Sequence, residues 1–274
     1  MPTPRTVLLV APTFRSSFHT ALYEYLNRRF ETGELNLRGI SDDPATQKAN
    51  LIDILRRDGP TAVIAASVRP SPDVVAAYHL ARIPLVLVDE EAPGVPSVTV
   101  DDFAGGRLAV SHLLSRGRRR LALVSGATGR PGGHSADQRL HGCMEALRAQ
   151  RVTISPDAII QVSNYSRDDG VAAMPKIMAA RVDGIFCAAG DVCATGLLLA
   201  ASKLSVSIPK DIAIVGYDDL AVAAIARPNL TTIRQPIEKM ARAAYELALI
   251  EALATPETAR QQVFDPELIV RQSS

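Results

Sequence analysis

Few residues in this chain could do chemistry, and their spacing argues against catalysis. The five histidines, His19, His79, His112, His134 and His141, are scattered without ligand spacing, and His79 and His112 fall inside helical patterns as ordinary helix residues. The three cysteines, Cys143, Cys187 and Cys193, are odd in number and form no CxxC pair. That argues against a disulfide framework or a zinc site and fits a reducing compartment. Cys143 and Cys187 lie in apolar surroundings, where a thiol behaves as a small hydrophobe. There is no GxGxxG after the first strand, no Walker-type phosphate loop, no GxSxG and no HExxH. The stretch 126–133 (GATGRPGG) is glycine-rich and follows a strand pattern, but it lacks the lysine of a phosphate loop and reads as a flexible strand-to-helix connection. Nothing supplies a nucleophile with its base, so these residues suit binding, and no cofactor or metal is expected.

Bulk properties agree. The 274 residues are 47% hydrophobic, ample for a packed core, and Lys plus Arg number 30 against 29 for Asp plus Glu, a formal net charge of +1. Such a chain has no overall field to hold DNA or an acidic membrane. The densest basic cluster, Arg116, Arg118, Arg119 and Arg120, lies between a helix and a strand pattern and reads as a solvated loop. The apolar run near Met1 is too short for a signal-peptide core. No stretch approaches the ~20 apolar residues that span a bilayer. A soluble, cytoplasmic protein is expected.

Positioning any binding residue falls to a regular alternation of elements. Strand patterns at 6–11, 35–40, 62–66 and 85–88 alternate with helical spacing at 18–30, 44–57 and 71–81, with Ser16 or Ser17 available to cap the first helix. After a strand at 97–100, a second series places helices at 105–114, 136–149, 168–179 and 191–203 between strands at 121–124, 159–162, 184–188 and 212–215. An extended piece at 231–233, a long helix at 237–253 and a strand at 268–270 close the chain. Alternating β and α elements imply parallel sheets with helices on both faces, and two series imply two lobes. In such sheets ligands bind beyond the carboxyl ends of the strands. Those ends, 12–19, 89–91, 125–135, 164–166, 189–191 and 217–219, are polar, Gly-rich or aromatic, as a cleft between lobes requires.

Several fragments in fixed order resemble one family. VTVDDFAGGRLAVSHLL at 98–114, the stretch at 118–126, AAGDVCATG at 188–196, IAIVGYDD at 212–219, LTTIRQP at 230–236 and PELIVRQ at 266–272 are similar to the effector-binding core of the lactose-repressor/galactose-repressor family of transcription regulators. The resemblance covers nearly the whole chain. It implies an α/β fold of the periplasmic-binding-protein-like type I, with two Rossmann-like lobes of parallel strands joined by three crossing strands near 100–101, 235–236 and 264–266. One lobe would comprise residues 1–100 plus 237–264, the other 101–236 plus 265–274. Family regulators also carry a helix-turn-helix headpiece that reads DNA as a dimer. The first strand here starts within a few residues of Met1, so the headpiece is expected outside this chain.

The resemblance also assigns a ligand site. Arg139, in SADQRLHG, would donate in a fork to ligand oxygens across the cleft, unless it is a plain surface arginine. Asp218, first aspartate of VGYDD, would accept hydroxyl hydrogens, while Asp219 caps the short helix that follows. Asp89 and Gln235 match ligand contacts, though Gln235 equally suits a hinge hydrogen bond. Tyr165 occupies the place of a stacking aromatic, or is a half-buried core residue. Phe18 and His19 fall where the family carries adjacent aromatics, and Phe14 lines the same mouth. Gly190 stands where the family usually has an asparagine, Asp102 replaces a common asparagine, and Asp191 is expected to cap the helix after it. These departures bear on which ligand binds.

The reading is therefore a homodimeric effector core that binds a sugar-like molecule or related metabolite in the cleft and changes the affinity of a headpiece for operator DNA. The helices at 52–56 and 74–80 carry apolar residues to spare, and Ile52, Leu55, Val75 and Tyr78 are expected at or near the dimer contact. The alternative is an exported solute-binding protein of a transporter, and a hydrolase or nucleoside-processing enzyme on an α/β fold is a third class.

Overall fold

Short continuous apolar runs become strands buried on both faces, and the amphipathic stretches between them become the helices that cover those faces. The computed structural model describes residues 6–12, 17–28, 34–41, 43–57, 59–128, 133–251 and 260–274. In chain order the first elements are β1 (Thr6–Ala11), α1 (Ser17–Asn27), β2 (Glu34–Gly39), α2 (Pro44–Arg57), β3 (Ala62–Ala66), α3 (Pro72–Ala81), β4 (Leu85–Val88) and β5 (Ser97–Val100). They are followed by α4 (Asp102–Ser115), β6 (Leu121–Ser125), α5 (His134–Ala149), β7 (Ile159–Gln161), α6 (Arg167–Ala179), β8 (Gly184–Cys187), α7 (Asp191–Lys203), β9 (Ala213–Asp218), α8 (Ala221–Ile225) and β10 (Thr231–Arg234). The chain closes with α9 (Ile237–Glu251), β11 (Gln261–Phe264) and β12 (Glu267–Ile269).

The chain divides into two compact units, Met1–Val100 with Pro236–Phe264, and Asp101–Gln235 with Asp265–Ser274. Unit 1 holds a six-stranded sheet in the order β11-β5-β4-β3-β1-β2, every neighbour parallel. Val7, Leu9, Ile64 and Leu87 in its strands are fully buried. One face packs on α2 and α3 through Leu51, Ile54, Val74 and Tyr78. Leu22 and Leu26 of α1 and Met240, Ala244 and Leu247 of α9 are also buried, and these two helices pack on each other.

Unit 2 holds the order β12-β10-β9-β8-β6-β7. Its strands are parallel except β12, which runs antiparallel to β10 with Glu267 opposite Arg234. The expected parallel sheets are present, with β12 as an antiparallel margin in unit 2, and the reason for its direction is topological. β10 leaves the unit just after Arg234, and the chain re-enters beside that point, so the returning strand must run the other way. One face packs on α6 and α7 through Met174, Ile177, Cys193 and Leu197, the other on α4 and α5 through Val110, Leu113, Cys143 and Leu147. Close approach of α4 and α5 depends on glycine. A Cβ on Gly106 would collide with the Arg139 carbonyl, and one on Gly142 with that of Phe103. Arg139 is thereby held against the start of α4.

Boundaries shift in places. The first helix runs Ser17–Asn27, β7 stops at Gln161, and β12 is Glu267–Ile269, one residue earlier than expected. β11 was not expected at all: QQVF is half polar, exposed on alternate residues, and paired only to β5.

Candidate ligand-binding site

At the carboxyl ends of unit 1's strands, three polar side chains form a chain of hydrogen bonds. Ser67, just after β3, donates from Oγ to Asp89 Oδ2 at 2.7 Å, and His19 Nε2 lies 3.0 Å from the same Oγ. A hydroxyl has one hydrogen, and Asp89 takes it, so His19 is the donor to Ser67. Serine, histidine and aspartate meet here, but in the wrong order for nucleophilic catalysis: the carboxylate binds the serine and the imidazole points a hydrogen at it. Asp89 and Ser67 both stand at positive φ, 61° and 53°, a strained arrangement typical of ligand sites. Phe18 and His19 are both buried, their rings edge to face at 5.7 Å. Phe14 lies outside the described residues.

Unit 2 gathers the larger set. The Arg139 guanidinium donates from Nε to Asp102 Oδ1 at 2.7 Å and from Nη1 to the Ala188 carbonyl at 2.8 Å, and it stacks 3.7 Å above the Tyr217 ring. Tyr217 Oη donates to the same Asp102 oxygen at 2.7 Å. Arg139 is therefore a buried, ion-paired side chain that ties α5 to α4 and to the end of β8, and not a plain surface arginine. Burial, and then the Asp102 charge, push the Tyr217 phenol above its ordinary range.

Asp218, the last residue of β9, is 7% exposed and stands at φ 102°, where a non-glycine residue is strained. Its Oδ1 accepts from Gln235 Nε2 at 2.7 Å. Burial raises its carboxyl to about 6, against the opposing pull of Arg139 and of the Gln235 hydrogen bond. Gln235 is 4% exposed, and its Oε1 has no donor among the described residues; nor has Ser125 Oγ at the end of β6. Gly190 stands at φ 97°, with Asp218 Oδ2 where a side chain would begin. Any larger residue there would meet both backbone strain and this carboxylate. Tyr165, half-buried at φ 54°, lays its hydroxyl over Gly126 at the end of β6.

Two capping expectations are corrected. Gly190, not Asp191, is the cap residue of α7. Asp191 opens the helix fully buried, accepting from Thr232 Oγ1 at 2.6 Å and the Leu220 amide at 2.8 Å. Burial, then the Asp218 charge, raise its carboxyl well above the ordinary value. Asp219 does not cap α8, whose cap residue Leu220 has no side-chain bond; it pairs with Arg234 at 2.7 Å and Arg271 at 2.6 Å instead. The arginine cluster is not merely solvated either. Arg116 donates to Ser274 O, Arg118 to Pro209 O, Arg119 to Leu114 O, and Arg120 pairs with Asp183. Among the residues expected at a dimer contact, Tyr78 is core, its hydroxyl donating to Leu51 O at 3.1 Å, and Val75 is buried. Ile52 and Leu55 are half-buried against the same core.

Sequence reasoning missed Ser67, placed Ser125 and Tyr217 only as the first residues of strand-end segments, and missed Asp102 as the partner of Arg139. Ser67 directly follows an apolar strand run, a signal that could have drawn attention to it.

A family model described as "Periplasmic binding protein-like domain" matches residues 110–274. The chain belongs to the periplasmic binding protein-like domain family. Within it, the chain is of the lactose-repressor/galactose-repressor type. The HTH-type transcriptional regulator reg1 of Streptomyces lividans is 34% identical over 70% of this chain and 56% of its own length. The HTH-type transcriptional repressor PurR of Klebsiella pneumoniae is 26% identical over 98% of this chain and 80% of its own length. The chain thus spans little more than half of the first of these regulators. Among solved structures, a LacI family transcriptional regulator from Lactobacillus casei with bound sucrose superposes with a TM-score of 0.84 at 26% identity, covering 98% of this chain and 99% of that one. No described helix is long and apolar enough to cross a membrane, and no group of three or more described His, Cys, Asp or Glu residues could hold a metal.

Proposed function

We propose that this chain is the effector-binding and dimerisation core of a transcription regulator, and that its effector is a small hydroxylated molecule of the sugar class. The observation that carries the reading is the pair of buried acceptors Asp218 and Gln235 at the carboxyl end of unit 2's sheet, the second with an oxygen that nothing described satisfies. A buried acceptor left without a donor costs about 1–3 kcal/mol, and a ligand hydroxyl that donates to it recovers that cost. Asp89, Ser67 and His19 offer a second polar set of the same kind in unit 1. A solved structure of similar fold holds sucrose, and the curated relatives are transcription regulators, which favours this reading over a transporter's solute-binding protein.

In this reading the protein acts in the cytoplasm as a homodimer, contacts operator DNA through a segment other than this one, and carries out no reaction. Effector binding favours one of two states that differ in DNA affinity. A melting-temperature screen of sugars, nucleobases and small acids tests it, because a ligand specific to the folded state raises the transition. The expected result is stabilisation by one or more sugars. Stabilisation by nucleobases alone, or by nothing in the screen, would overturn the reading.

A further inference from the structure

We infer that Asp102 sets the charge of the ligand this site accepts: by holding the Arg139 guanidinium it leaves the carboxyl end of unit 2's sheet negative and rich in acceptors, so the site takes hydroxylated molecules that are neutral or carry an amine and refuses their carboxylate and phosphate counterparts. The inference rests on the reading above that a sugar-like molecule binds there, and it names the class.

Arg139 is the cation on which recognition of an anion would depend, and its charge is matched inside the protein. Its Nε faces Asp102 at 2.7 Å, with Tyr217 Oη closing on the same oxygen. Arg234, beside Gln235, and Arg271, just after β12, are both paired with Asp219. Against the one guanidinium stand three buried carboxyl groups, Asp102, Asp191 and Asp218. The groups facing Asp218 are Arg139 from α5, Asp102 from α4, Asp191 from α7 and Gln235 after β10. The strand ends offer Asp218 Oδ2, which receives no hydrogen bond from any described residue, and the unsatisfied Gln235 Oε1. Two adjacent acceptors call for ligand hydrogens. A vicinal diol or an ammonium supplies them; a carboxylate or phosphate brings only more acceptors and a charge that Asp218 repels.

Asp102 acts here through Arg139, as a positioning residue. Replacing it by asparagine keeps an oxygen for Arg139 and Tyr217 while removing its charge. That frees the guanidinium's charge toward the site and takes away one of the influences that raise the Asp218 carboxyl.

The test titrates the chain by calorimetry with matched probes: glucose, galactose, ribose and sucrose; glucosamine and galactosamine; glucuronate, galacturonate, glucose 6-phosphate and ribose 5-phosphate. Expected is binding of one or more neutral or amino sugars, with the matching anion at least tenfold weaker. Asp102→Asn should narrow that preference at least tenfold and move the loss of neutral-sugar binding on acidification to lower pH, which a purely structural defect would not do. Should Asp102→Asn not fold, Asp218→Asn removes a negative charge from the other side, and the neutral-to-anion ratio should fall there too. Anions binding the parent as well as their neutral forms would overturn this inference while leaving the proposed function standing. Binding of nothing in the set would overturn both. A neutral-to-anion ratio unchanged in both variants would remove Asp102 from its assigned role.

Discussion

Replacing Asp218 by asparagine should make the ligand-free protein more stable and a poorer binder. The carboxyl is 7% exposed in the folded protein and titrates at about 6, chiefly because burial penalises its charge, with Arg139 and Gln235 only partly offsetting this. In the unfolded chain it returns to its ordinary 3.8. Between those two values the folded state keeps a proton that the unfolded state has released, so stability falls as pH rises through the window. The favourable contribution is fully present below 3.8 and gone above about 6. At ~1.4 kcal/mol per tenfold difference in proton affinity, the loss at neutral pH is about 3 kcal/mol. Asparagine has no charge to desolvate, can still accept from Gln235 Nε2, and tolerates positive φ better than most residues. Its new N–H₂ needs a partner, so the expected gain at pH 7.5 is about 1–3 kcal/mol, shrinking toward zero near pH 4. Urea unfolding of parent and variant from pH 4 to 8 reads this directly through midpoints at matched slopes. A variant less stable than the parent at pH 7.5, or a difference that does not change with pH, would refute the reasoning.

Other expectations follow from the same geometry. Arg139→Ala leaves the Asp102 carboxylate buried without its guanidinium and removes the packing over Tyr217, so it should cost about 3–5 kcal/mol in urea unfolding, not spare the fold as a solvent-facing arginine would. Gly142→Ala drives a methyl into the Phe103 carbonyl where α4 meets α5, and should destabilise by about 1–3 kcal/mol or more, read as a lower melting temperature. The Cys143 thiol is pushed up to about 12 by burial and that of Cys187 is raised as well, so neither should react with a chromogenic disulfide at pH 8 until denaturant is added. Affinity for a neutral sugar should fall as pH drops below about 6, as Asp218 gains a proton and ceases to be a charged acceptor; calorimetric titrations at pH 5 and 7.5 compare the two.

The fold was legible wherever burial is two-sided. TVLLVA, AVIAA and LVLV can be nothing but interior strands, because continuous apolar runs of that length between helical patterns have no other place to go. Legibility failed at the sheet margins. An edge strand such as β11 has one neighbour and one exposed face, so QQVF needs little apolar character and leaves little trace. The direction of β12 is equally silent in ELI, since it follows from where the chain re-enters the unit and not from the residues themselves. Capping was misread for a related reason. Asp191 and Asp219 have the right chemistry at the right helix starts, but Thr232 and the Leu220 amide claim the first and two arginines the second, all distant in sequence.

The candidate site divides along the same line. Motif position located Asp89, Tyr165, Gly190, Asp218 and Gln235 at strand ends, because the fold puts those sequence positions there whatever their side chains do. Partnership is a different kind of fact. Asp102 and Arg139 lie 37 residues apart and meet only because Gly106 and Gly142 let two helices approach to backbone contact. An arginine read in its own motif offers a fork to a ligand; the same arginine beside Asp102 is already matched in charge. Its role is decided by residue 102, on another helix. A substitution there changes what Arg139 can recognise without touching the motif that contains it, so the charge of the ligand is written in the pairing and not in either motif alone.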